Sequence, residues 1–242
     1  PTKLAAGISQ AAVLKRASYK DVLVYKKEED LETIGFIKGN WTTGNQPVLL
    51  NDPAFTIATS SIRRMAQWLH RFPGHSIENL RGNVNTRLRK VEEHNWNGAI
   101  FAAAGLERIN LRPSNSVDLD WMLPAPAQGA IMVVCRSNDQ FSLNSCISFH
   151  DADTAICTKI ERDFLSALSG GCSTPISALA EIINEEIHFH ANIASINGSD
   201  IAEITMKFAI HEASQSGFRA ANEILMNGGT AIMQGIRNKE LS

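Results

Sequence analysis

The sequence predicts an α/β fold followed by a small α+β unit, and two observations carry that prediction. Short apolar runs alternate with stretches of helical spacing from about residue 20 to residue 105, the pattern of strands and helices layered around a mainly parallel sheet. Beyond residue 180 the spacing changes to period two, with Ile187, Phe189, Ala191 and Ile193 on one face, as half-buried strands require.

Val22-Leu23-Val24-Tyr25 reads as the first strand and Phe55-Thr56-Ile57-Ala58 as the next. After the hydroxyls Thr59-Ser60-Ser61 comes a helix over Ile62 to Arg71, with Ile62, Met65, Ala66 and Leu69 as its inward stripe and Pro73-Gly74 as its stop. Ile77 to Leu80 is a further strand. Arg87 to Glu93 is a helix with Leu88 and Val91 inward, and Gly98 to Ala102 is a strand. The Pro-rich run 123–129 is unsuited to an element interior and reads as a crossover or hinge, followed by a strand over Ala130 to Cys135. The polar stretch from Asp139 to His150 marks a boundary. From Asp151 a long helix carries Ile156, Ile160, Phe164 and Leu168 on one stripe and ends at Gly170-Gly171. Ile201, Ile204, Met206 and Phe208 form the second period-two run, separated from the first by the turn Asn197-Gly198, and a last helix covers Phe218 to Leu225.

With 242 residues, 44% of them hydrophobic, the chain can bury a core and form one to three domains. Its net charge of -2 gives no global reason to expect nucleic acid or an anionic membrane. No apolar run approaches the roughly 20 residues that span a bilayer. Four cysteines without a C-x-x-C pair argue against zinc-ribbon and thioredoxin chemistry and fit reduced thiols in the cytosol. The chain opens on Pro1-Thr2-Lys3-Leu4, with no initiator Met and no leader pattern, and is expected to be cut from something longer.

Charge is unevenly placed. Between Ser60 and Lys90 stand seven cations (Arg63, Arg64, Arg71, Arg81, Arg87, Arg89 and Lys90) against the single acid Glu78, a local +6, so the rest of the chain carries -8. Arginine offers a planar fork for carboxylate or phosphate. Thr59-Ser60-Ser61 lies at a strand-to-helix junction, where free N–H groups favour anions. Ligands of open α/β sheets bind at that edge. Arg63, Arg64, Arg81 and Arg87 are therefore expected to bind an anion, whereas Arg71, Arg89 and Lys90, further along their helices, read as surface cations. A stacking platform for nucleic-acid bases is not evident, since Trp68 and Phe72 are the only aromatics there. Cys135, Cys146 and Cys157 have apolar or strand-like neighbours and read as buried, inert thiols. Cys172 follows Gly170-Gly171 in a loop of small residues, where a thiol can be reached. The residues alone leave open a chemical role or a spare surface thiol, and Gln128-Gly129 reads as a plain hinge. His188 and His190 alternate on one strand without a third ligand, so no metal site is expected.

Five sets of residues in order are more specific than any one of them. They are Ala58-Thr59-Ser60-Ser61-Ile62-Arg63-Arg64; Leu80-Arg81-Gly82-Asn83-Val84-Asn85-Thr86-Arg87-Leu88; Ala104-Gly105-Leu106-Glu107-Arg108; Leu123-Pro124-Ala125-Pro126-Ala127-Gln128-Gly129-Ala130; and Glu161-Arg162 with Gly170-Gly171-Cys172-Ser173-Thr174-Pro175-Ile176. Together, across essentially the whole chain, they resemble the porphobilinogen deaminase (hydroxymethylbilane synthase) family. The resemblance implies stepwise condensation of four porphobilinogen molecules, with release of ammonia, onto a dipyrromethane cofactor held by a thioether to Cys172. The pyrroles carry acetate and propionate groups. Arg63, Arg64, Arg81 and Arg87 would pair with those acids, Thr59 and Ser61 would add hydroxyl and backbone contacts, and Gln128 would lie near the cleft at a domain hinge. Loss of ammonia leaves a cationic azafulvene, which a nearby carboxylate stabilises. The implied architecture is a periplasmic-binding-protein-like parallel or mixed sheet domain (17–123), the remnant of a second such domain (1–16 and 124–148) and a small C-terminal α+β domain (149–242) bearing the cysteine. A cytoplasmic protein, monomeric when full length, is implied as well. The competing class is a non-catalytic periplasmic-binding-like anion-binding module with no covalent cofactor.

Asn85 stands where many members of the family have Gly, and Pro126 is a common variant. The family's catalytic Asp, in a His-Ser-x-Lys-Asp run, is expected upstream of the position matching Pro1, so none of the 242 residues is assigned the catalytic role. The expected outcome is that this polypeptide alone forms no hydroxymethylbilane from porphobilinogen; product accumulation in a direct assay of the 242-residue chain would contradict it.

Overall fold

The structure, a computed structural model, describes residues 4–42, 54–168 and 174–240. Strand β1 (Ile8–Val13) runs through an extended stretch into β2 (Asp21–Tyr25), helix α1 (Glu29–Thr33) and the short hairpin of β3 (Phe36–Ile37) and β4 (Asn40–Trp41). Then come β5 (Thr56–Ala58), α2 (Ile62–Arg71), β6 (Ser76–Glu78), α3 (Val84–Glu93), β7 (Gly98–Ala102), α4 (Ala103–Glu107) and β8 (Ser116–Asp118). Strand β9 (Met132–Arg136), α5 (Gln140–Cys146) and a 3-10 turn (Ile147–Phe149) precede the long α6 (Ala152–Ala167). The chain continues with β10 (Ile176–Ile183), β11 (Glu186–Ala194), β12 (Ile201–Ala209), α7 (Ala213–Ile224) and α8 (Thr230–Glu240).

The central sheet has the order β6-β5-β7-β2-β8 and is mixed rather than mainly parallel. β5 is parallel to β6 and β7, while β2 is antiparallel to both β7 and β8. Parallel neighbours need a crossover helix, and α2 and α3 supply those between β5, β6 and β7. β2 has no such partner unit. Its apolar run reported burial, which carries no information on strand direction.

Helix α2 departs from the expected stripe in a way that matters for the site. Its buried residues are Arg63, Ala66, Gln67 and Trp68, while Ile62, Met65 and Leu69 are half-buried. The inward polar residues are satisfied there: Gln67 donates to Leu123 O (2.9 Å) and Ser177 Oγ (3.0 Å) and accepts from Leu123 N (2.9 Å). Trp68 packs on Phe72 and Trp121 with ring centroids 4.8 and 5.9 Å away. α3 begins at Val84 rather than Arg87, because Asn83 caps it by accepting from Thr86 N at 2.9 Å.

β1 and β9 form a separate antiparallel pair. The polar stretch after β9 is not irregular throughout: Asp139 accepts from Ser142 N and starts α5. In the C-terminal region β10, β11 and β12 make an antiparallel sheet. Its inner face (Ala178, Ala180, Ile187, Phe189, Ala191, Ile193, Ala202, Ile204 and Phe208) packs on Cys157, Ile160, Phe164 and Leu168 of the α6 region and on Ala220, Ala221 and Ile224 of α7. Ile156 of the expected α6 stripe is half-buried, and the expected stop at Gly170-Gly171 lies outside the described residues. In β12 the inward set is Ala202, Ile204 and Phe208, with Ile201 half-buried. The last helix begins earlier than expected, and a further one, α8, follows a kink at Asn227-Gly228.

α6 and α7 approach closely at Gly217, where an added Cβ would lie 2.5 Å from Ile160 O and 2.9 Å from Phe164 N. Helix propensity favours alanine over glycine by about 1 kcal/mol, yet Gly217→Ala is expected to destabilise the protein by about 1–3 kcal/mol through overpacking. Urea unfolding of the two proteins measures the sign; a higher midpoint for the alanine variant would show that the helices can part without cost.

Candidate anion-binding site

β5 delivers Thr59-Ser60-Ser61 to the start of α2. Thr59 N donates to Glu78 O (2.8 Å), and Thr59 Oγ1 accepts from Ser61 N (3.2 Å). Ser60 Oγ donates to Leu80 O (2.6 Å) and also contacts Asn79. Ser61 is the N-cap of α2, its side chain accepting from Arg64 N at 3.4 Å. These bonds fix the loop, so the first N–H groups of a ten-residue helix face the sheet edge, the arrangement that attracts anions.

Behind this loop lies a carboxylate that the sequence reading did not single out. Asp21, the first residue of β2, is 0% exposed. Its Oδ2 sits 2.7 Å from Arg63 Nη1, a charge contact without an aligned hydrogen bond. Its Oδ1 accepts from Arg64 Nε (3.0 Å), lies 2.8 Å from Arg64 Nη2 and accepts from Gln128 Nε2 (2.9 Å). Arg63 further donates to Leu123 O (2.7 Å) and Gln128 Oε1 (3.2 Å), Arg64 donates to Ile100 O (3.2 Å), and Gln128 Nε2 donates to Tyr19 O (2.7 Å). Burial pushes the Asp21 carboxyl up, but the charges of Arg63 and Arg64 and the hydrogen bond from Gln128 outweigh it and hold the group below its ordinary value. Burial likewise lowers Arg64; Asp21 opposes this, and the charges of Arg63 and Arg87 add to it.

A second buried carboxylate extends the network. Glu161 on α6 is 0% exposed and takes the fork of Arg16, with Nη1–Oε1 2.6 Å and Nη2–Oε2 3.2 Å. It also accepts from Ala127 N (2.6 Å) and Ala180 N (2.8 Å). Burial pushes its carboxyl up, opposed by Arg16 and those two backbone donors. Arg16 Nε donates to Gln128 O at 2.9 Å, so Gln128 joins the two carboxylate clusters. The turn is tight: Ala127 has a φ of 62°, and a Cβ on Gly129 (φ 84°) would lie 2.7 Å from Ser18 O. Only glycine fits beside the 17–18 segment.

Of the sequence-predicted residues, the structure brings Arg63, Arg64 and Gln128 together around Asp21, with Thr59 and Ser61 on the adjoining loop. Arg81 and Arg87 stand before and at the start of α3. Arg87 Nε donates to Gly82 O (2.7 Å), and the exposed Arg81 side chain has no hydrogen bond or ion pair among the described residues. Cys172 lies outside the described residues. Arg89 pairs with Glu93 on the surface (3.3 Å), and Lys90 Nζ donates to Arg81 O (3.1 Å). Arg71 is not a plain surface cation: it stacks over Trp121 at 4.9 Å and donates to Thr42 O at 3.0 Å. Cys157 is buried, its thiol pushed up to about 12 by burial, as an inert thiol should be. Cys135 and Cys146 are half-buried rather than buried.

The residues missed were Asp21, Arg16 and Glu161. A signal existed for two of them: Asp21 opens a four-residue apolar run, and Glu161 lies between the inward Cys157 and Phe164 of one helix.

Two family models match the chain. One, described as porphobilinogen deaminase, dipyromethane cofactor binding domain, matches residues 1–144; the other, porphobilinogen deaminase, C-terminal domain, matches residues 155–226. A porphobilinogen deaminase of Syntrophotalea carbinolica is 39% identical over 179 residues, 73% of this chain and 57% of that protein. One from Listeria welshimeri is 33% identical over 244 residues, 99% of this chain and 73% of the relative. One from Syntrophomonas wolfei is 34% identical over 235 residues, 96% of this chain and 71% of the relative.

Asp21 gives the network a pH signature. Its native value is depressed, so the stability it contributes is present above the unfolded value near 3.9 and is lost as pH falls through the lower native value. Asp21→Asn leaves two buried guanidinium groups short of a counter-charge and is expected to cost about 3–5 kcal/mol at pH 7. Urea unfolding of both proteins across pH should show a constant gap from about pH 5 to 8, closing only below the ordinary carboxylate range. A gap that closes on raising the pH would contradict the assignment.

Proposed function

The chain belongs to the porphobilinogen deaminase family, and from that premise we propose that it is a hydroxymethylbilane synthase, joining four porphobilinogen molecules with release of ammonia. The observation that carries this reading is the Asp21 cluster. Two guanidinium groups share one carboxylate, which leaves a surplus positive charge beside the N-terminus of α2, with Arg81 and Arg87 adjacent in the chain to the loop that Ser60 grips. A ligand with several carboxylates suits such a site; a neutral one does not.

The residues fit the dipyrromethane group named for the family's cofactor-binding domain: the Arg81 fork has no partner among the described residues, and the fixed loop offers N–H donors. When bound, the group would supply the free pyrrole α-carbon to which the first porphobilinogen unit is joined, and so anchor the chain that the later units extend. Arg81 and Arg87 would take its outer acids, Thr59 and Ser61 would orient an acid against the start of α2, and Arg63 and Arg64 would pair with an acid through the N–H donors that Asp21 leaves free. Holding the acids fixes the reacting carbon in register, so much of the catalysis is positioning. Asp21 is committed to its arginines and is not the carboxylate that stabilises the cation formed on loss of ammonia. We assign that role to no described residue. Cys172 is the proposed thioether anchor.

The same reading divides the chain into 1–16 with 124–148, 17–123 and 149–242, and treats the mixed sheet of 17–123 as a periplasmic-binding-like domain. It takes the protein to be cytoplasmic, and monomeric when full length. Among the described residues no helix is long and apolar enough to cross a membrane.

Intact mass spectrometry of the wild type and Cys172→Ala tests the anchor. The full-length protein is expected to be heavier by an adduct of two pyrrole units and to give the dipyrromethane colour with acidic aldehyde reagent, and its Cys172→Ala variant to do neither. Masses differing only by the side chain would overturn the reading and leave an anion-binding module without covalent cofactor.

A further inference from the structure

We propose that Asp21 is a positioning residue of this carboxylate site: it forces Arg63 and Arg64, which a helix would splay apart, to converge on one face. The inference rests on the functional reading above and adds a residue to it. Consecutive residues of an α-helix are separated by about 100° around the axis and do not face each other. Arg63 and Arg64 are such a pair, and yet both guanidinium groups meet on the oxygens of one side chain.

The carboxylate is itself held rigidly. Asp21 lies in β2, in register with Ala102 of β7, and its carbonyl accepts from Leu119 N at 2.8 Å. Gln128 donates to the same oxygen that Arg64 uses. The backbone carbonyls Leu123 O and Ile100 O take one further N–H from Arg63 and Arg64 respectively. A guanidinium has five N–H groups, so each arginine keeps donors beyond those used here, in a plane that Asp21 sets. A free arginine must lose its rotamer freedom when it grips a ligand; this pair has lost it in folding.

Two variants separate positioning from bulk charge. Asp21→Asn makes the site more positive, so charge attraction alone predicts tighter binding of the dicarboxylate porphobilinogen. Asp21→Glu keeps the charge but moves the carboxylate by one methylene, so charge alone predicts no change. Positioning predicts that both bind porphobilinogen more weakly, by about tenfold or more if one charge-assisted contact is lost. Calorimetric titration of porphobilinogen into the 242-residue chain, with folding monitored by circular dichroism, reads the affinity of folded protein, which a purely structural role would leave unmoved. Equal or tighter binding by the Asn variant, or wild-type affinity in the Glu variant, overturns the proposal. Should neither variant fold, Gln128→Ala decides. It leaves both ion pairs and removes the amide that fixes the Asp21 oxygen and accepts from Arg63; weaker binding supports positioning of the pair, and unchanged binding overturns it. A wild type that does not bind porphobilinogen overturns the functional reading itself, a failure seen before any variant is compared.

Discussion

One buried carboxylate shared by two arginines is the constraint on which the rest of this structure turns. Removing a charge from water costs several kcal/mol per ion even after relaxation, and Asp21 offsets that cost only because two guanidinium groups and an amide converge on it. That requirement dictates local structure in three places. It puts a charged residue at the start of an otherwise apolar strand. It turns the Arg63 and Gln67 side of α2 inward. It holds Gln128 in a turn so tight that Gly129 must follow it.

Gln128 makes the constraint long-ranged. Its amide bonds Asp21 and its carbonyl accepts from Arg16, whose fork is spent on Glu161. The 14–20 stretch leaving β1 and the 123–130 stretch entering β9 thus meet at the same residues, and Glu161 ties both to β10 through Ala180 N. The four donors to Glu161 come from three positions, two from Arg16 and one each from Ala127 and Ala180, so displacement of any of these segments weakens the hold on a buried charge. A junction of this kind is stiff for a physical reason: its polar groups have no water to exchange into. The central sheet, the β1–β9 pair and the C-terminal sheet are joined by charge at this point, while the central and C-terminal sheets keep separate apolar cores.

Much of the fold was legible because it rests on periodicity. The strands at residues 22–25, 55–58 and 98–102, the α2 span and the inner face of β11 follow from apolar spacing alone. The failures share a cause. β10 escaped notice because the middle of its inner face is Ala178 and Ala180, small residues between Ile176 and Ile182, and because Ser177 and Leu179 are buried on its other face as well. α8 was missed because Asn227-Gly228-Gly229 reads as a stop, though the chain kinks there and resumes. The direction of β2 was unreadable because its apolar run reports burial on both faces, which parallel and antiparallel strands share once covered on both sides. The site divides the same way. Arginine clustering pointed to Arg63, Arg64, Arg81 and Arg87, but counting cations cannot show that two of them face a carboxylate some forty residues earlier in the chain. Arg71 shows the converse, a cation in the same run whose partners are aromatic rings.

The mixed sheet direction then acquires a purpose. Had β2 run parallel to β7, its first residue would lie at the opposite end of the strand from the start of α2. Running antiparallel, it places Asp21 opposite Ala102, the last residue of β7, at the edge where the parallel strands end and their helices begin. In open sheets that edge is where ligands bind. The reversal therefore delivers a buried carboxylate to an edge rich in cations and helix N-termini, where the other acid, Glu78 at the end of β6, is exposed. An edge of cations alone would bind any anion loosely. One in which two cations are already fixed against a resident carboxylate accepts further carboxylates only in the geometry left open to it, so charge has been exchanged for register. On the proposed function, a site that holds successive acidic rings of one growing chain gains more from register than from raw attraction, because attraction that grew with every added acid would also hold the finished product.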